Sequence, residues 1–312
     1  MESSPATACG EWQCSGAELM HWRRGLLRQG GSASELDWLI EMKAGLSWQE
    51  LQRLVLSPDR SVALQAPLET LAALWSRHQE SHEPLQYLVG RCPWRDLELQ
   101  VAPGVLIPRQ ETELLVDLAC ETQRLASGGS GGRAPDLWAD LGTGSGCLAV
   151  ALAKAWPNSK GLAVDQSTAA LEQAAANLHR YQLTEQVELR QGSWWEPLEE
   201  LWGRLELVVS NPPYIPTAVW ERLEPVVRNH EPDLALNGGE SGLDAIDAIA
   251  AGAMQALAPG GWLLLEHHHD QSEAVLQHLT AAGLCATQAR HDLEGRWRFA
   301  IAQRPADAEI ES

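Results

Sequence analysis

Apolar positions recur at helical spacing from His21 to about His82. Leu36, Leu39 and Ile40 stand at i, i+3, i+4. Ser47-Trp48-Gln49-Glu50 has the S-x-x-E form of a capping box, and Leu51, Leu54 and Val55 follow it on one face. Leu64, Leu68, Leu71 and Trp75 make a third stripe. Short amphipathic segments of this kind predict a small helical bundle over residues 1–85. Its first 16 residues are small and polar, and are expected to be poorly ordered.

The pattern then changes period. Tyr87-Leu88-Val89-Gly90 and Leu97-Glu98-Leu99-Gln100-Val101 predict a short hairpin joining two domains, over residues 86–110. A helix is expected from the end of Pro108-Arg109-Gln110-Glu111-Thr112-Glu113, carrying Leu114, Leu115, Leu118 and Ala119. Acidic residues in a first helical turn are favoured by the helix dipole alone, so Glu111 and Glu113 have a structural reading in their own right. A Gly/Ser-rich surface loop occupies Ala126 to Pro135.

Strands and helices alternate thereafter. Strands are predicted at Leu137–Leu141, Leu162–Asp165, Val187–Gln191, Leu205–Ser210 and Trp262–Glu266, with helices between them, notably Cys147–Ala155 and Ser167–His179. That order belongs to an open parallel α/β sheet, here over residues 111–312. Two last strands, near Cys285–His291 and Arg296–Ala302, are separated by a Glu294-Gly295 turn and should pair antiparallel at one edge, leaving 304–312 as a polar tail.

Composition narrows the class. The chain has 312 residues, 45% hydrophobic and 21% charged, as in an ordinary globular protein of two domains. No apolar run reaches the roughly 18 residues that span a bilayer. Met1 to Gly10 lack the form of a signal peptide, so a cytoplasmic protein is expected. The six cysteines (9, 14, 92, 120, 147, 285) form no C-x-x-C pair, which argues against a zinc ribbon or a disulfide scaffold. A net charge of −19 and the lack of a Lys/Arg cluster disfavour nucleic acid as a direct partner.

Four features carry candidate chemistry. Asp140-Leu141-Gly142-Thr143-Gly144-Ser145-Gly146 lies where the first sheet strand turns into a helix, so backbone N–H groups can approach a ligand closely. The dinucleotide pattern G-x-G-x-x-G fails at Cys147, and no G-K-[ST] is present. The D-x-G-x-G-x-G form instead fits S-adenosylmethionine. Asp165 ends the next strand, where an α/β nucleoside site places a carboxylate for ribose hydroxyls. Ser193-Trp194-Trp195 follows the third strand, offering a polar group and an indole to an adenine, with one tryptophan left for the core.

The fourth feature is Asn211-Pro212-Pro213-Tyr214, directly after the fourth strand. Two prolines fix a rigid extended corner. It offers an amide, backbone carbonyls and an aromatic ring, which suit a planar –NH2 group. His267-His268-His269 invites a metal reading, but successive strand residues face opposite ways, and no metal is expected.

Together these segments resemble the class I S-adenosylmethionine-dependent methyltransferases that modify a planar –NH2 group. More narrowly, the chain is similar to the peptide chain release factor glutamine methyltransferases. The resemblance also rests on Pro84–Gly90, Pro108–Glu113, Glu231-Pro232 with Ala235-Leu236 and Gly238-Gly239, and Asp292–Arg296. It implies a Rossmann-like, mostly parallel sheet with an antiparallel edge hairpin, preceded by a small helical bundle. Asp140, Gly142, Thr143, Gly144, Ser145, Gly146, Asp165, Trp194 and Asn211 would contact S-adenosylmethionine. Asn211, Pro212, Pro213 and Tyr214 would hold the substrate glutamine, with Asn211, Pro212 and Tyr214 catalytic, and the Pro108–Glu113 segment would lie near the active site. Departures from the family pattern are Gln110 in place of a proline, Glu266-His267-His268 in place of Glu-Ile-Gly, and Ser193 where an Asp is common.

The expected reaction is methylation of the side-chain amide nitrogen (N5) of the glutamine in the Gly-Gly-Gln motif of release factors, by a monomer. Rival readings are a ribosomal-protein glutamine methyltransferase, an adenine-N6 DNA or RNA methyltransferase, and a non-catalytic binding module retaining the fold. The adenine-N6 reading needs a basic channel and usually a target-recognition insertion; neither is visible in the sequence.

Overall fold

The computed structural model describes residues 12–126 and 133–306. The order expected for residues 1–11, part of the Gly/Ser-rich loop and most of the polar tail lie outside them. The chain divides into two compact units, Met1–Gly90 and Arg91–Ser312.

The first unit contains β1 (Trp12–Ser15), α1 (Gly16–Leu27), α2 (Ala33–Ala44), α3 (Trp48–Leu56), β2 (Ser61–Leu64), α4 (Leu68–Ser81) and α5 (Leu85–Val89). Ser47 and Glu50 close the capping box read from the sequence, and Ser15 and Glu18 make a second one at α1. Leu36, Leu39, Ile40, Leu51, Leu54, Leu71 and Trp75 fill the core. Three expectations change here. Trp12–Ser15 is ordered as a strand, because β1 pairs antiparallel with β2. Leu64 is buried from that strand rather than from a helix, and Val55 is exposed on the outer side of α3.

The hairpin expected from Tyr87–Gly90 is also corrected. Leu85, Leu88 and Val89 are spaced for one helical face, and α5 buries them in the core of the first unit before the chain leaves at Gly90. The hairpin itself belongs to the second unit, as β3 (Arg91–Trp94) and β4 (Leu97–Gln100).

The rest of the second unit runs α6 (Glu113–Ala126), β5 (Leu137–Leu141), α7 (Cys147–Ala155), β6 (Lys160–Asp165), α8 (Thr168–Arg180), β7 (Val187–Gln191), β8 (Leu205–Ser210), α9 (Thr217–Trp220), α10 (Pro225–Arg228), α11 (Asp244–Ala256), β9 (Leu257–Glu266), α12 (Ser272–Ala281), β10 (Cys285–His291) and β11 (Trp297–Gln303). Seven strands form one sheet in the order β10-β11-β9-β8-β5-β6-β7. The five from β9 to β7 are parallel, and β11 and β10 add the antiparallel edge that the sequence predicts. Arg304 still holds the sheet through Gly260 and Gly261, so the tail starts later than expected.

Alternation along the strands gives the sheet two buried faces. Trp138, Leu207, Val209 and Leu264 pack beneath α6 and α7, while Ala139, Leu141, Val208 and Leu265 pack against α11 and α12. β5 has β6 on one side and β8 on the other, so strand order reverses there. In open sheets of this kind, ligands sit in the crevice beyond the carboxyl ends of the strands at such a reversal.

Candidate active site

Four strand ends, those of β5, β6, β7 and β8, frame that crevice. At the end of β5, Gly142 N and Thr143 N both donate to Val164 O at 2.9 Å, which ties the glycine loop to β6. Gly142 and Gly146 have φ of 74° and 79°, and a Cβ on Gly146 would stand 3.1 Å from Ala174. α7 therefore starts close against α8. The loop is braced from below by Asn177, fully buried in α8. Its amide nitrogen donates to Ser145 O at 2.8 Å and Gln100 O at 2.9 Å, and its oxygen accepts from Gln100 N at 2.7 Å.

Asp140 lies under the loop with no exposed surface, and its Oδ2 accepts from the Thr143 hydroxyl at 2.7 Å. Burial pushes this carboxyl up to about 7; the nearby Asp165 charge adds to the rise, and the Thr143 hydroxyl opposes it. A carboxyl whose pKa is higher in the folded than in the unfolded chain favours folding when protonated. Its contribution is fully present below the ordinary value of 3.8 and is lost as pH rises through about 7. We expect the ligand-free protein to lose that share of unfolding free energy between those limits, and Asp140→Asn to flatten the profile there, as read by urea titrations across pH. An unchanged slope in the variant would refute this.

Asp165, at the end of β6, accepts from Gly144 N through Oδ2 and from Ser167 N through Oδ1, each at 2.9 Å. Burial raises its pKa, and the backbone N–H groups of Ser167 and Gly144 oppose the rise. After β7, Trp194 adopts a left-handed φ of 46°, and its ring would lie 3.4 Å from a Cβ on Gly142. Trp195 turns the other way into the core and donates from Nε1 to Ile249 O at 3.0 Å. One tryptophan thus faces the crevice and the other packs, as the sequence predicts.

The crevice holds about 690 Å³ of empty space, mouth included, and Gly142, Gly144, Asp165, Ser193, Trp194 and Asn211 line it. Thr143, Ser145 and Asp140 are buried and do not. A second cleft, of about 540 Å³, is lined by Arg109, Pro212, Tyr214 and Val227 among others. Leu106, Asn211 and Ala235 belong to both clefts, so Asn211 stands in their common wall. Glu231 pins the neighbouring loop by accepting from Ile107 N at 3.1 Å and pairing with Arg109 at 2.6 Å.

Behind the Asn211–Tyr214 corner lies a buried polar network. Asn211 Nδ2 donates to Thr112 Oγ1 at 2.9 Å, and Thr112 Oγ1 donates to Glu266 Oε2 at 2.7 Å. The Tyr214 hydroxyl donates to Glu266 Oε1 at 2.9 Å. Burial raises the pKa of Glu266, against the hydroxyls of Thr112 and Tyr214 and the Arg298 guanidinium. Burial, together with the Glu266 charge, holds the Tyr214 phenol well above its ordinary range. Neither Thr112 nor Glu266 stood among the predicted site residues. The available signals were the Pro108–Glu113 segment, set near the site by resemblance, and a glutamate closing the fifth parallel strand.

His267 is buried with Nδ1 at 2.8 Å from His268 O, and His268 pairs with Asp270 at 2.5 Å. Among the described residues, no group of three or more His, Cys, Asp or Glu could hold a metal ion.

The Methyltransferase small domain family model matches residues 133–223, the span that carries the glycine loop, Asp165 and the Asn211–Tyr214 corner. A release factor glutamine methyltransferase of Prochlorococcus marinus is 47% identical over 291 residues, covering 93% of this chain and 98% of the relative. The chain belongs to the release factor glutamine methyltransferase family. Another member, from Gloeobacter violaceus, is 49% identical over 245 residues, covering 78% of this chain and 81% of that protein. At the level of fold alone, the hMettl16 catalytic domain, solved in complex with an RNA hairpin, matches with a TM-score of 0.53 at 11% identity, over 85% of this chain and 88% of that one. The span matched by the family model lies within the second unit, which also carries both clefts.

Proposed function

We infer that the chain methylates the side-chain amide nitrogen of the glutamine in the Gly-Gly-Gln motif of peptide chain release factors, using S-adenosylmethionine. The observation that carries this reading is the place of Asn211 in the wall between the two clefts. One cleft takes the methyl donor, and the other takes the glutamine side chain.

The first cleft fits the cofactor on its own chemistry. Asp165 has used one lone pair on each carboxylate oxygen for a backbone N–H, and the remaining lone pairs can accept two ribose hydroxyls. Trp194 offers an indole face to an adenine, a contact worth roughly 1–3 kcal/mol by analogy with base stacking on aromatic side chains. Gly142 and Gly144 let the backbone come close to the ligand. Asp140, Thr143, Ser145 and Gly146 act beneath, by holding the loop's shape. When bound, S-adenosylmethionine supplies an electrophilic methyl group on its sulfonium.

An amide nitrogen is a poor nucleophile because its lone pair is delocalised. Asn211 Oδ1 and the Pro212 carbonyl accept its two hydrogens and aim the nitrogen at the first cleft, while Pro213 keeps the corner stiff. The Tyr214 ring packs against the amide and favours charge growing on it. Positioning of this quality can supply about 7–11 kcal/mol in the best cases, so no strong base is required. Preorganised acceptors stabilise the developing charge, and solvent takes the proton afterward.

The chain acts as a monomer in the cytoplasm and without direct nucleic-acid contact, consistent with its net charge of −19. Among the described residues, no helix is long and apolar enough to cross a membrane. Incubation with labelled S-adenosylmethionine, purified release factors, ribosomal proteins and DNA should place the label on a release-factor glutamine, located by mass spectrometry. Label on a ribosomal protein or on adenine, with none on release factors, would overturn the assignment.

A further inference from the structure

The hydroxyl hydrogens of the buried network constrain the Asn211–Tyr214 corner from behind. Glu266 is 1% exposed, and both its oxygens face hydroxyl groups, Thr112 at 2.7 Å and Tyr214 at 2.9 Å. Burial favours the neutral form of Glu266, while the Thr112 and Tyr214 hydroxyls and the Arg298 guanidinium favour the carboxylate; as a carboxylate it only accepts, so both hydroxyls donate to it. Thr112 has a single hydroxyl hydrogen. Once that hydrogen is given to Glu266, Thr112 Oγ1 can only accept from its other neighbour. The Asn211 side-chain atom 2.9 Å away must then be the NH2 nitrogen. The amide oxygen is thereby turned to the opposite side, as the acceptor left for a ligand.

We propose that Glu266 and Thr112 are positioning residues which lock the Asn211 amide in one of its two flip states, so that its oxygen rather than its NH2 group meets the substrate amide. The proposal rests on the methyl-transfer reading of this site. A flipped Asn211 would set a donor against the donor hydrogens of the glutamine NH2, and the nitrogen would lose its alignment. The free energy difference between amide flip states is small when nothing discriminates them, because oxygen and NH2 are nearly isosteric. Here the discrimination comes from one carboxylate, acting through one hydroxyl. Its second oxygen fixes Tyr214 in the same way, so the amide and the ring of the corner share a single buried anchor.

Three variants test this: Thr112→Val, which keeps shape and removes the acceptor; Thr112→Ser, which keeps the hydroxyl; and Glu266→Gln, which no longer dictates the direction of the chain. In single-turnover transfer to a release factor, Thr112→Val should lose about 100-fold in rate and Glu266→Gln about 10-fold. Thr112→Ser should stay within about threefold of the parent, and the S-adenosylmethionine dissociation constant should stay within about threefold in all three. In protein labelled with 15N-asparagine, one Asn211 side-chain amide proton should resonate as hydrogen-bonded in the parent and in Thr112→Ser. That shift should vanish in Thr112→Val, and a second Asn211 signal should appear in Glu266→Gln. Unchanged amide signals in Thr112→Val would overturn the proposal, as would equal loss of rate in the valine and serine variants. A parent protein inactive on every release factor would refute the functional reading instead, while the amide signals would still decide the flip state.

Discussion

Replacing Asn211 by alanine is expected to lower transfer to a release factor by about 10³-fold or more, with the fold and the cofactor affinity largely kept. The size follows from what is lost. Removing one preorganised hydrogen-bonding group that acts on the reacting centre costs about 10²–10³-fold in rate. In the proposed reaction the same group also sets the direction of the nitrogen, and a misplacement of about 1 Å can cost a further 10²-fold. The fold should survive because Asn211 follows β8 and belongs to no ladder; the neighbouring Ser210 is held separately through Leu141 O at 2.6 Å. Single-turnover kinetics, cofactor titration and thermal unfolding of the variant measure the three quantities. Turnover near the parent rate would sink the mechanism; a fall in melting temperature beyond a few degrees would reassign Asn211 to structure.

Replacing Asp165 by alanine should act on the other cleft. Hydrogen bonds to a charged group contribute about 1.5–3 kcal/mol each, so losing the ribose partner should weaken the S-adenosylmethionine dissociation constant by about 10²-fold. A further loss comes from the loop, since Gly144 N and Ser167 N both lose their acceptor. Saturating cofactor should restore most of the turnover, because no reacting atom touches Asp165. Calorimetric titration together with kcat at high cofactor separates this outcome from the Asn211 variant, in which cofactor cannot rescue. A dissociation constant within threefold of the parent would remove Asp165 from the cofactor site.

The sheet is legible in the chain because its central strands, such as Leu137–Leu141 and Leu205–Ser210, are short apolar runs, and its edge strands are set off by marked loops. Leu137–Leu141, Val187–Gln191, Leu205–Ser210 and Cys285–His291 have the bounds read from the sequence. Tyr87–Gly90 was misread because four residues cannot distinguish a strand from one turn of helix; the deciding fact is that Leu85, Leu88 and Val89 share a core with α2 and α4. In the crevice, Gly142, Asp165, Trp194 and Asn211 announce themselves by standing at or just past strand ends. Thr112 and Glu266 do not. Thr112 meets Asn211 across 99 positions and Glu266 across 154, so their partnership exists only once β8 and β9 lie side by side. Asp140, Thr143 and Ser145 show the converse. Their motif marks the loop, while their burial sets them beneath it, off the crevice lining.

The two clefts are separated by little more than Leu106, Asn211 and Ala235. A single small molecule could therefore occupy both, with a nucleoside at one end and a primary carboxamide at the other. Its second half would bind at the high effective concentration set by a short tether. Selectivity in such a ligand would come from the carboxamide end, because the nucleoside end addresses chemistry that many methyltransferases share.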